Sequence, residues 1–93
     1  MNANQNYALI DNASGYVWGV YSAESPESAC AAATLDTGME PATYESAYQL
    51  ASNEGGYLVY AAPDGFSVND GQNAEEIAAV AALPIIGKFR RNV

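Results

Sequence analysis

Apolar and polar positions alternate with a two-residue period in several short runs of this chain and follow a helical period in two others. Tyr7–Asp11 reads as a strand. Asn12-Ala13-Ser14-Gly15 has turn chemistry, with Gly15 free to take positive φ. Tyr16–Ala23, rich in Tyr, Val and Trp, reads as a second strand, so the two predict a hairpin. Strict alternation puts Tyr16, Trp18 and Val20 on one face and Val17, Gly19 and Tyr21 on the other. A glycine inside a strand, here Gly19, predicts a bulge or a close approach by another element.

Ser25-Pro26-Glu27 is a helix start: serine caps, proline suits the first helical position, and glutamate meets the positive end of the dipole. The Ala-rich run continues to about Asp36, and Gly38 ends it. Ala29, Cys30 and Ala33 share one face, and their small size lets the helix lie close to a sheet. Tyr44–Leu50 fits either period; the strand reading is favoured because Asn53-Glu54-Gly55-Gly56 then forms a hairpin loop. Tyr57–Ala62 is the clearest strand, broken by Pro63-Asp64-Gly65.

Asp70-Gly71 signals another turn. Asn73 caps a second helix with Glu76 in capping-box position, and Ile77, Val80 and Ala81 form its apolar stripe. Pro84 ends this helix, and Ile85–Arg90 reads as a last strand. The order is ββαββαβ. It predicts a single α+β domain, a mostly antiparallel sheet with two helices packed on one face. Residues 23 to 90 also fit a split βαβ arrangement, and the pattern leaves both open. Met1–Gln5 is polar and expected to fray.

Charge changes the picture. The 93 residues carry eleven carboxylates and three cations, a net charge of −8. All three cations, Lys88, Arg90 and Arg91, lie near the C-terminus, so residues 1 to 87 contain no Lys or Arg. A surface of one sign repels nucleic acid and anionic lipid and speeds encounter with basic proteins. It also keeps a small protein soluble, which is explanation enough in many chains. The C-terminal cations are expected to neutralise carboxylates of their own fold, or to blunt an edge strand. Cys30 is the only cysteine, so no intrachain disulfide forms. No basic, apolar leader or 18-residue apolar run is present, and the cytosol is the expected compartment.

Candidate chemistry is sparse. The chain has no histidine, the commonest general base and transition-metal ligand. Cys30, on a buried helix face, reads as a structural thiol. The serines lack a base, and neither a nucleophile elbow nor a phosphate-binding loop is present. The loop from Asp64 to Asp70 is rich in oxygen ligands, but its spacing does not match an EF-hand, and turn chemistry accounts for it. Neither an enzyme nor a cofactor or metal site is expected.

Seven tyrosines are the second unusual feature. Tyr supplies large contact area at low entropic cost and is enriched at interfaces. The expected partner-binding set is therefore Tyr44, Tyr48, Tyr57 and Tyr60 for contact, with Glu54, Asp64 and Asp70 steering a basic protein surface.

Three segments, Tyr7–Ala23 (YALIDNASGYVWGVYSA), Ser25–Cys30 (SPESAC) and Val68–Pro84 (VNDGQNAEEIAAVAALP), resemble small proteins of bacterial mobile elements. In size, acidity and lack of motifs the chain is also similar to anti-CRISPR proteins. That resemblance implies an inhibitor that binds a CRISPR effector, often at its nucleic-acid-binding surface, without touching nucleic acid itself. It carries over no residues. The other readings are an antitoxin or immunity protein against a basic toxin, and a self-associating module that forms a homodimer.

Overall fold

The computed structural model describes residues 4–36, 38 and 42–92. Five strands and two helices follow in the order β1 (Gln5–Asp11), β2 (Val17–Ala23), α1 (Pro26–Asp36), β3 (Thr43–Ala47), β4 (Gly56–Ala62), α2 (Ala74–Ala81) and β5 (Ile85–Asn92). The strands form one sheet, ordered β2-β1-β4-β5-β3, with every neighbouring pair antiparallel. The α+β class and the ββαββαβ order are as the sequence predicts. Gln5 is not frayed: it opens β1, opposite Ala23. The rest of the expected fraying, Met1–Ala3, lies outside the described residues; Asn4, just before β1, is exposed.

The helices do not share a face. Tyr7 and Leu9 of β1 and Tyr57 and Val59 of β4 point to one side, where they meet Ala29, Cys30 and Ala33 of α1 and Phe89 of β5. Ala8 and Ile10 point to the other side with Val17 and Tyr60, and Val80 of α2 covers them. The central strands are apolar in both parities, so each face needs its own cover. Leu9 faces Val59 on the α1 side, and Ile10 faces Leu58 on the α2 side. The expected packing of both helices on one face gives way because an uninterrupted run such as Tyr-Ala-Leu-Ile turns apolar side chains to both faces.

Two further expectations are corrected by β5. It inserts between β4 and β3, so β3 and β4 run parallel and are not hairpin partners. Residues 48 to 55 are a crossover connection, pinned at its end by Asn12, whose Nδ2 donates to the carbonyls of Ala51 (2.8 Å) and Glu54 (2.9 Å). The segment Tyr44–Leu50 is strand only as far as Ala47. Being internal, β5 is also not an edge strand blunted by its cations. Arg90 instead pairs across the strands with Glu45 at 3.2 Å and reaches Glu54 at 3.9 Å.

The helix ends follow their sequence signals, with one change. Ser25 Oγ accepts from the Ser28 amide at 3.1 Å, and Gly38 takes φ 79° while donating to the Leu35 carbonyl. Asn73 caps α2 through the amides of Glu75 and Glu76. Glu76 does not close a capping box on Asn73. Its carboxylate accepts from the amides of Asn69 (2.7 Å) and Asp70 (2.6 Å), because the Asn73 amide is already taken by the Asp70 carbonyl. In the stripe of α2, Val80 is fully buried and Ile77 half-buried, whereas Ala81 is exposed and Leu83 packs in its place.

Candidate binding groove

One irregularity in the sheet builds the site. Leu9 pairs with Gly19, but Ile10 pairs with Val17, which leaves Trp18 as the extra residue of a bulge. Gly19 adjoins the bulge, and a Cβ there would lie 3.1 Å from the Tyr21 ring, a tight contact. The bulge breaks the alternation, so Trp18 does not share a face with Val20. Its indole turns to the α1 side, where Nε1 donates to the Ala33 carbonyl at 3.2 Å and the ring lies 6.0 Å from Tyr57. Tyr57 stands 5.4 Å from Tyr44, whose hydroxyl meets Thr34 Oγ1 at 2.7 Å. Trp18, Tyr57 and Tyr44 thus form a tilted aromatic row beneath the C-terminal half of α1, with Trp18 38% exposed at its end.

A loop closes against this end of the sheet. The Val17 amide donates to the Gly71 carbonyl at 2.9 Å, and a side chain at position 71 would run into the Val17 carbonyl. Only glycine allows this approach. It seats Asp70 beside Tyr16 and Trp18. The loop is held from behind by Glu76, and Asp70 Oδ1 fastens it by accepting from the Gln72 amide at 3.0 Å.

From the other side, α1 delivers Asp36. The negative end of the helix dipole adds to this carboxylate, and no basic residue occupies the last turn. Asp36 Oδ2 accepts from the Tyr21 hydroxyl at 3.2 Å. Burial, then the charge and hydrogen bond of Asp36, push the Tyr21 hydroxyl up to about 12.

These parts enclose an open groove of about 430 Å³, with Tyr16 and Trp18 as aromatic walls and Asp36 and Asp70 as its charges. Each carboxylate keeps one oxygen without a protein hydrogen bond among the described residues. Neither is ion-paired there, since both ion pairs belong to Arg90. On the far side of Trp18 a smaller hollow of about 250 Å³ is lined by Asp11, Tyr44, Tyr57 and Arg91.

The seven residues expected to bind a partner are scattered. Asp70 lines the groove, and Tyr44 and Tyr57 line the hollow. Tyr57 and Tyr60 are buried, so neither offers the exposed contact expected of it. Their place in β4, at the centre of the sheet, gives their rings to the two cores. Burial raises the pKa of both hydroxyls. Glu54 is engaged with the Ala51 amide and Arg90. Asp64 accepts from Asn6 Nδ2 at 3.3 Å, at the opposite end of the sheet from Asp70. Tyr48 is 93% exposed, just beyond the end of β3, and lines neither recess.

Trp18, Tyr16 and Asp36 were missed. For Trp18 the signal was present: Gly19 announced the bulge, and a bulge moves its neighbour to the other face. Cys30 lies in the core under α1, where burial, then the nearby Glu27 carboxylate, push the thiol up to about 12. Among the described residues no group of three metal-ligating side chains converges, and no helix is long and apolar enough to cross a membrane. No family model matches the chain, and no curated protein or solved structure matches it.

Proposed function

We propose that this chain is a non-enzymatic binding protein whose acidic, aromatic groove docks on a basic protein surface. The observation that carries the reading is the groove itself: two carboxylates without ion pairs among the described residues stand beside two half-open aromatic rings. Carboxylates supply steering and specificity, and aromatic rings supply contact area with little entropy to lose. The net charge of −8 adds a long-range attraction of the same sign. A nucleic-acid-binding face of a defence complex, such as a CRISPR effector, is the basic surface to which the anti-CRISPR resemblance points. Inhibition would follow from occupying that face.

The test starts with capture from a bacterial extract on immobilised chain, followed by purification of the retained protein. Its affinity is expected to fall steeply as salt rises. It is also expected to fall with the D36N/D70N double variant, in which both amide oxygens still accept the native hydrogen bonds. An affinity indifferent to salt or to this variant contradicts the reading.

A further inference from the structure

We infer that the groove takes one arginine side chain of the partner, with its guanidinium between Asp36 and Asp70 and its plane against Trp18. The inference rests on the docking reading above and narrows it to one residue type. Three features of the groove select arginine. Two separate carboxylates approach it from different elements, one from the end of α1 and one from the loop before α2. Each presents an oxygen without a hydrogen bond among the described residues, its other oxygen being committed to Tyr21 or to the Gln72 amide. A guanidinium offers five donors in a fixed planar fork and can serve both; an ammonium is a compact point charge. The aromatic walls add the second criterion. Trp18 is 38% and Tyr16 45% exposed, and an arginine plane stacks on such rings while a strongly hydrated lysine head gains less.

The third feature is rigidity. Trp18 is tethered to the Ala33 carbonyl, Asp36 to Tyr21, and the Asp70 loop to Val17 and Glu76. The groove is therefore set before a ligand arrives, which lowers the ordering cost of binding.

Trp18 is the only tryptophan, so its fluorescence reports on the groove directly. The experiment titrates the full chain at low salt with a blocked Gly-Arg-Gly peptide, its lysine counterpart, and its citrulline counterpart, which has the same shape without the charge. The arginine peptide is expected to give a saturable change in emission, the lysine peptide a weaker affinity and the citrulline peptide none. D36N/D70N is expected to weaken the arginine peptide by about tenfold or more, the loss that goes with charged hydrogen bonds. Circular dichroism of the variant confirms that it is folded.

No saturable response, equal affinity for lysine, or equal affinity of the double variant overturns the inference. Such a failure is distinguishable from failure of the docking reading. If the captured protein still loses affinity with the double variant, the acidic groove docks by another chemistry; if it does not, both fall.

Discussion

Cys30 sits where α1 presses on the sheet, between Ala29 and Ala33, with no part of it open to solvent. Thiolate is the reactive form, and a thiol held near 12 supplies almost none at neutral pH. The native protein is therefore expected to resist an aromatic disulfide reagent and to react fully once denatured. Rapid modification of the folded chain would contradict this placement. Tyr21 belongs to the same chemistry. Its folded pKa of about 12 exceeds the ordinary value of 10.0, so the folded state holds the proton more tightly than the unfolded one. That contribution to stability is complete below pH 10 and is lost as pH rises toward 12. Tyr57 and Cys30 shift in the same direction. An alkaline titration is expected to show the tyrosinate absorbance of Tyr21 and Tyr57 rising together with loss of the far-ultraviolet dichroism, at the top of this window or above it. Tyrosines that all titrate near 10 in a chain that stays folded would contradict it.

At the scale of elements, the groove depends on the loop between β4 and α2 lying against the start of β2. Gly71 is the contact residue, and any Cβ there meets backbone rather than a flexible side chain. Gly71→Ala is expected to cost about 1–3 kcal/mol, the range for forced overpacking that shifts backbone. It is also expected to alter Trp18 emission, because Asp70 moves with the loop; chemical denaturation and fluorescence measure the two effects. A variant as stable as the parent with unchanged emission would show that the approach is not needed.

The elements themselves were legible because their signals are local. Ser25-Pro26-Glu27, Gly38 and Asn73 act within a turn of where they stand. What could not be read is non-local. Nothing in β3 or β4 alone says that β5 will enter between them, so the Asn53–Gly56 stretch looked like a hairpin loop. The site was half legible for the same reason. Asp70 stood out by type, but Asp36 joins it only through the packing of α1 across the sheet, and Tyr44 and Tyr57 line the neighbouring hollow instead.

Over the whole molecule, the groove and the exposed side chains of Tyr48, Ile85 and Ile86 stand at different ends of the sheet. The groove, with Asp36 and Asp70, lies at the end where β2 begins and α1 finishes. Tyr48, Ile85 and Ile86 are exposed near the other end, where β3 finishes and β5 begins. Among the described residues the ion pairs are those of Arg90 with Glu45 and Glu54, and neither groove carboxylate takes part in one. The net charge of −8 attracts a basic partner, and raising the salt is expected to slow association more than it hastens dissociation. The central claim is that the face around Trp18 is where this chain binds. Fluorotryptophan labels that single position, and fluorine NMR then follows it as unlabelled partner is added. The account predicts that the one resonance shifts as the complex forms; a complex that forms while the resonance keeps its position would contradict it.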